Sequence, residues 1–387
     1  MLLKFTDPSK LKTKRIIYEN VFPARDSATL ELLKELSSNR RLIEESINDK
    51  SLLTEAIARE MSGGLTSRVE QDLRKLDFYL PLLENLILYV ESHDIPMVRK
   101  WVADIGIQWS SAMKESSGLF GGSKYFRVNN LQFEIGMCTY LYGALLRDNA
   151  FEIQSEDLVE STALYRKAAG VFEYLANVIL VPLQSEFTGE FPPEGVTAMS
   201  DIMSLVCLAD AQAVVVKRSE QNNSSSGVLS KLHFGITQML DEALSILRSN
   251  ARYFSDVSSN SRLLEFLISC SFLHRLRSQR YFAKDIRTRH CNGGTEGEFG
   301  VAVAVLRNAV AGLKNARPPK DPKWREVFHQ EASSTNEFLE KFEHENILVY
   351  REKIVDYDKI PLLEGRKIVD TIPYEPQKFV REFDFMT

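Results

Sequence analysis

Leu164-Tyr165-Arg166-Lys167-Ala168-Ala169-Gly170-Val171-Phe172-Glu173-Tyr174-Leu175-Ala176-Asn177-Val178-Ile179 is the stretch that decides the fold class. Its apolar positions Leu164, Ala168, Val171, Leu175 and Ile179 step by four and three, which lays one apolar stripe along a helix. The small run Ala168-Ala169-Gly170 predicts a place where a neighbouring helix comes close. The same spacing recurs on both sides. Leu131, Ile135, Cys138, Tyr142 and Leu145 form a stripe upstream. Downstream come Ile202, Val206, Ala209, Ala213 and Val216, then Val228, Leu232, Gly235, Met239 and Ala243, then Phe299, Val303, Leu306, Val310 and Leu313. Stripes of this kind have to cover one another, which predicts antiparallel helix pairs.

Breaks separate the stripes. Pro192-Pro193-Glu194-Gly195 precedes the third, Asn222-Asn223-Ser224-Ser225-Ser226-Gly227 divides the third from the fourth, and Arg317-Pro318-Pro319-Lys320 ends the last. Thr295 and Glu298 have capping-box spacing before the last stripe. Leu2 to Ala24 reads as short extended pieces, and Ile105 to Trp109 alternates like a strand. From Pro361 onward prolines and aromatics predict an extended segment laid across the helices. The fold class expected is mainly α: a helical core over about 28–315, an extended C-terminal segment over about 360–387 packing on it, and a single domain over 1–387. No clean fixed-period repeat is visible.

The chain has 387 residues, 44% of them hydrophobic, and a net charge of −5. The core can be large, and the charge balance is not that of a nucleic-acid polycation. Cys138, Cys207, Cys270 and Cys291 form no CxxC pair and read as reduced thiols. The N-terminus offers no signal-like apolar run and no glycine at position two, and Phe385-Met386-Thr387 is no prenylation box. No run of about 18 apolar residues stands out. The expectation is a cytoplasmic protein with at most peripheral membrane contact.

Motifs for chemistry are sparse. In Gly118-Leu119-Phe120-Gly121-Gly122-Ser123-Lys124 the lysine stands at the wrong distance for a phosphate-binding loop, so the stretch reads as a tight turn before a helix near Val128. His93, His233, His274, His290, His329 and His344 form no metal-ligand spacing, and no nucleophile signature is present. Neither a catalytic residue, a metal site, a cofactor nor a small-molecule substrate is expected. One charged stretch is sharper: Arg275, Arg277, Arg280, Lys284, Arg287 and Arg289 stand against Asp285 alone. It reads either as a solvated face paired with acidic helices or as a surface for anionic lipid headgroups. No aromatic-and-basic platform accompanies the charges, so a nucleic-acid surface is the weaker reading.

Several segments, in order, resemble the BRO1-domain family. These are Leu76-Asp77-Phe78-Tyr79-Leu80-Pro81-Leu82-Leu83, Ile107-Gln108-Trp109-Ser110-Ser111-Ala112, Leu119-Phe120-Gly121-Gly122-Ser123, Phe133-Glu134 followed by Tyr142-Gly143-Ala144-Leu145, Ala168 to Leu175, Leu208-Ala209-Asp210-Ala211-Gln212-Ala213, Ser230-Lys231-Leu232, and Glu345-Asn346-Ile347-Leu348-Val349-Tyr350. The chain looks most like the single-domain, plant-type members. The resemblance implies an elongated helical solenoid with a tetratricopeptide-like core and a small β-sheet near the N-terminus. It also implies endosomal ESCRT work in vesicle trafficking: docking of the C-terminal helix of an ESCRT-III subunit of the Snf7/CHMP4 type in a hydrophobic groove, with recruitment to endosomes. Segment matching puts Val215 at the groove's aromatic position, where relatives carry phenylalanine, and Val228 and Leu232 at its two aliphatic positions, flanked by Val216 and Lys231. The smaller Val215 implies a shallower pocket, which leaves a different protein partner open. Periodicity by itself also accommodates Val228 and Leu232 as plain core.

Overall fold

The computed structural model describes residues 3–48, 67–93, 95–113, 124–186, 190–254, 261–293 and 297–386. Its helices are α1 (Ser27–Asn48), α2 (Arg68–His93), α3 (Pro96–Asp104), α4 (Leu131–Ile153), α5 (Leu158–Tyr174), α6 (Leu180–Glu186), α7 (Thr197–Gln221), α8 (Ser226–Ser249), α9 (Arg262–Cys291), α10 (Glu298–Asn315) and α11 (Pro322–Glu345). The striped stretches are α4, α5, α7, α8 and α10. Between α3 and α4, strands β1 (Ile107–Ser110) and β2 (Tyr125–Val128) pair antiparallel with Trp109 opposite Phe126. The strand expected at Ile105–Trp109 is there. The helix expected near Val128 instead begins at Leu131, capped by the Asn130 side chain, and Tyr125–Val128 is the second strand. The glycine-rich 118–123 stretch and Thr295 lie outside the described residues, and α10 starts behind a left-handed Gly297 instead.

The helices also run further than the expected core boundary near 315. α11 follows, with only Trp324, Val327, Phe328, Thr335 and Phe342 buried along it. One described helix, α7, is long and apolar enough to cross a membrane, with a mean hydropathy of 1.6 over its best window. That window is 72% buried inside the protein, as in a core helix.

The chain divides into two compact units. One comprises Phe5–Cys207, Ile246–Ser261 and Thr371–Thr387. At its centre lies a polar cluster with no access to water. Arg40 on α1 and Glu134 on α4 form an ion pair in which both side chains are fully buried. The Trp109 indole N–H on β1 donates to Glu134 Oε2 at 2.6 Å, and the Tyr79 hydroxyl on α2 donates to Glu134 Oε1 at 3.2 Å. Tyr18 and Tyr79 share a hydroxyl hydrogen bond of 2.6 Å. Burial strips water from charges at a cost that only dense pairing offsets, so the cluster fixes α1, α2, α4 and β1 in one arrangement. The small run on α5 does two jobs. Ser204 on α7 donates to the Ala169 carbonyl at 3.1 Å, which is the close helix approach expected. Gly170, by contrast, makes room for backbone: a Cβ there would lie 1.9 Å from the carbonyl oxygen of Ile372 in the extended C-terminal segment.

The other unit comprises Met1–Lys4, Leu208–Ser245 and Arg262–Asp370. Ala283, Ile286, Phe299, Ala302, Val303, Leu306 and Phe342, from α9, α10 and α11, make a buried cluster, with Phe299 and Phe342 stacked 5.5 Å apart. α8 and α9 approach closely through paired serines: Ser230 Oγ donates to Ser278 O, and Ser278 Oγ donates to Ser230 O, both at 2.9 Å.

Candidate functional site

Val215 and Val216 lie on the last turns of α7, and Val228, Lys231 and Leu232 on the first turns of α8. The structure separates them by exposure. Val228 is 41% exposed, an isolated aliphatic facing water, and Val215 is half-buried beside the α7 terminus. Val216 and Leu232 are 2% and 3% exposed and belong to the core. The periodic spacing of 228 and 232 does put both on one side of α8, but one turn on from Val228 that side is already buried. Leu232 therefore supports the face from beneath rather than lining it.

Lys231 is exposed, and its Nζ pairs with Glu364 at 3.0 Å. Glu364 belongs to the extended C-terminal segment, which runs across α8 here. The Arg366 amide donates to the Lys231 carbonyl at 2.9 Å. Gln212 on α7 clamps the same segment: its Nε2 donates to Arg366 O at 2.9 Å and to Leu232 O at 2.7 Å, and its Oε1 accepts from the Ile368 amide at 3.0 Å. Gly235 leaves the gap this requires, since a Cβ there would stand 2.4 Å from Arg366 O. The family-like run Leu208–Ala213 thus contains a residue with a defined task, Gln212, which periodicity treats as an oddity in an apolar helix.

Beneath this face is a buried polar cluster that motif reading missed. His233 Nδ1 and His274 Nδ1 are 3.0 Å apart, so one nitrogen donates and the other accepts, which requires at least one neutral ring. His233 stacks on Tyr281, and its Nε2 faces Glu220 at 3.8 Å. The Tyr281 hydroxyl donates to Glu220 at 2.7 Å. Burial pulls both imidazoles below their ordinary value, and the Arg277 cation pushes the same way. His233, followed by Tyr281, holds Glu220 down at about 2. The signal in sequence was a histidine at a stripe-flanking position, visible but without a partner until α8 and α9 pack.

The basic run on α9 does not make a free basic surface. Arg275 pairs with Asp241 at 2.7 Å, Arg277 and Arg280 both with Glu331, Arg287 with Glu345 at 3.0 Å, and Arg289 with Asp285 at 3.1 Å. Arg277 is itself buried. Lys284 lies over the rings of Tyr281 and Phe338, at 4.9 and 4.7 Å. Four of the six cations, Arg275, Arg277, Arg280 and Arg287, pair with carboxylates from elsewhere in the chain, which a local charge count misses. No cluster of three metal-binding side chains occurs among the described residues.

The family model described as BRO1-like domain matches residues 53–384. The chain belongs to the BRO1-like domain family. Among its relatives, the BRO1 domain-containing protein BROX homolog of Caenorhabditis elegans is 22% identical over 335 residues, covering 80% of this chain and 74% of that protein. ALG-2 interacting protein X of Dictyostelium discoideum is 22% identical over 258 residues, 66% of this chain. This BRO1 domain aligns with only 31% of the Dictyostelium protein. Among solved structures, the complex of the ALIX BRO1 domain with CHMP4C superposes with a TM-score of 0.67 at 17% identity, covering 95% of this chain and 96% of that one. A Bro1 domain solved to explain endosomal targeting superposes at 0.64 and 15% identity, covering 94% and 91%. The fold is therefore the mainly helical BRO1 fold with its small sheet.

Proposed function

We propose that this BRO1 domain is a non-catalytic docking module of the endosomal ESCRT pathway. It receives the C-terminal amphipathic helix of a Snf7/CHMP4-type ESCRT-III subunit on the face formed by Val215 and Val228, with Lys231 at its rim. The observation that carries the proposal is Val228: an aliphatic side chain held open to water on a helix whose other stripe residues are buried. Its backbone is stiffened by the Gln212 clamp and by the serine pairs to α9. A rigid apolar anchor suits an amphipathic helix laid in a groove, with the aliphatics of its i, i+3 and i+4 positions on Val228 and Val215 and an acidic residue exchanging with Glu364 at Lys231. The fold shared with the ALIX BRO1 domain, solved with CHMP4C, supports the partner class. The proposed setting is cytoplasmic, with recruitment to endosomes.

Hydrogen exchange tests the location. Adding a Snf7-type C-terminal peptide is expected to slow exchange in residues 212–235. Protection confined to other helices refutes the assignment. A second reading is favoured by Val215 and by the burial of Leu232, which together leave a shallow face: a different helical peptide occupies it. An affinity capture that returns other proteins but no ESCRT-III subunit, and loses them with Val228→Asp, favours that reading.

A further inference from the structure

At the end of α11 the helix widens into a π turn, Asn346–Tyr350, and Arg351 leaves it in the left-handed region at φ 55°. The turn is locked. Asn346 is buried; its Nδ2 donates to Glu352 O at 2.9 Å, its Oδ1 accepts from the Glu352 amide at 3.1 Å, and its carbonyl accepts from the Arg351 amide at 2.6 Å. This closed turn holds Ile347, Leu348 and Val349 outward, 68%, 60% and 65% exposed. Single exposed aliphatics are ordinary, but three consecutive ones on a fastened turn gain nothing in water.

Directly after the turn the exposed charges are cations, and exposed acids return only at Asp356 and Asp358, of which Asp356 pairs with Lys359 at 3.5 Å. Each nearby carboxylate of the turn's base is taken: Glu343 by Arg307 at 2.6 Å, Glu345 by Arg287 at 3.0 Å, and Glu352 by His290 at 3.6 Å and by the Gly300 amide at 2.8 Å. Arg351 and Lys353 are exposed and, among the described residues, have no carboxylate partner. On the last turns of α11, exposed Lys341 and His344 stand against exposed Glu340.

We propose that this turn is a membrane-contact tip, in which Ile347, Leu348 and Val349 enter the headgroup–acyl boundary of an anionic bilayer while Arg351 and Lys353 meet lipid phosphates. Two arguments select a bilayer over a protein. Three side chains on a convex turn offer far less than the roughly 800 Å² per partner of a stable protein interface. Lipid needs no such area: each methylene buried in the acyl region improves partitioning about fourfold, and the cations add attraction to an anionic surface. The site is distinct from the peptide face on α8 and does not depend on it.

The test is co-sedimentation of the full chain with vesicles of phosphatidylcholine alone and of phosphatidylcholine with phosphatidylserine. Binding is expected only to the anionic vesicles, and to fall as salt rises. Leu348→Asp is expected to weaken it more than tenfold, and Arg351→Ala with Lys353→Ala about thirtyfold, from a factor of about five per cation. Leu348→Trp provides an independent readout: its added emission is expected to shift to the blue with anionic vesicles and not with neutral ones. Absence of binding to anionic vesicles at low salt overturns the proposal. So does binding undiminished in the variants, or a Leu348→Trp emission that does not move. Concentration-dependent self-association of the chain that Leu348→Asp abolishes, without vesicle binding, assigns the tip to a second copy and overturns it too.

Discussion

Replacing Gly235 by alanine sets two physical effects against each other, and the sign of the result identifies the winner. In the interior of α8, alanine is favoured over glycine by about 1 kcal/mol. Against this, the new Cβ would lie 2.4 Å from Arg366 O and 2.7 Å from Gln212 Nε2, closer than any carbon can approach. The segment must lift. Lifting breaks the bonds Arg366 N–Lys231 O, Gln212 Nε2–Arg366 O and Ile368 N–Gln212 Oε1. At about 1 kcal/mol each, their loss outweighs the gain in helix propensity and leaves a net cost of about 2 kcal/mol. The helix-propensity gain is common to the docked and lifted states, so the full loss of about 3 kcal/mol bears on docking, roughly a 150-fold rise in the population of the lifted segment. Trypsin reads it directly, because Arg366 and Lys367 lie in the segment and cleavage of a rapidly opening site follows the open population. Gly312→Ala is the control. The nearest atom to its Cβ would be Phe272 Cε2 at 3.8 Å, ordinary contact, so only the propensity gain applies and stability is expected to rise. If Gly235→Ala also stabilises the protein and leaves cleavage at 366–367 unchanged, the argument that this glycine exists for the segment fails.

Arg40→Met should cost about 3–5 kcal/mol in urea unfolding, because it strands the buried Glu134 carboxylate, and Glu134→Gln in the same chain should recover part of that loss; an effect below 1 kcal/mol contradicts the role given to the pair. Folded His233 and His274 are held neutral below the ordinary value of 6.5, so the unfolded chain binds more protons and stability is lost as pH falls below about 6.5. The loss is expected to reach at most about 1.4 kcal/mol per histidine one pH unit below that value, and His274→Asn should flatten the profile between pH 7.5 and 5.5; a profile already flat in the parent chain refutes this. Leu232→Asp is expected to unfold the unit by burying an unpaired charge, whereas Val228→Asp should leave the melting temperature within a few degrees of the parent, as measured by calorimetry.

Much of this was legible in the residues. Stripes at three- and four-residue spacing located α4, α5, α7, α8 and α10, because in each a buried face recurs with the helical turn. α11 escaped, since it is held by a few large contacts such as Trp324 and Phe342 within a charged sequence that has no continuous stripe. β2 escaped because Tyr125–Val128 directly follows a glycine-rich stretch that reads as a turn leading into a helix. The candidate face was legible only in outline. Spacing put Val228 and Leu232 together, but whether a side chain on a stripe meets water depends on how the helix tilts against its neighbours. The clamp on the C-terminal segment joins Gln212 to residues 366–368, far along the chain, and the pairing of Arg277 and Arg280 with Glu331 is equally remote. No local pattern encodes such partners. By its sequence Gly170 reads as a helix contact, yet it serves a backbone crossing, because sequence shows that room is needed and not what fills it.

The central claim, that an exposed aliphatic on α8 anchors a partner helix, is tested most directly by isothermal titration of a Snf7-type C-terminal peptide into the parent chain and into Val228→Asp. Placing a carboxylate where an aliphatic contact is desolvated is expected to lower affinity at least tenfold, with folding intact. Equal affinity for the two chains would contradict the account.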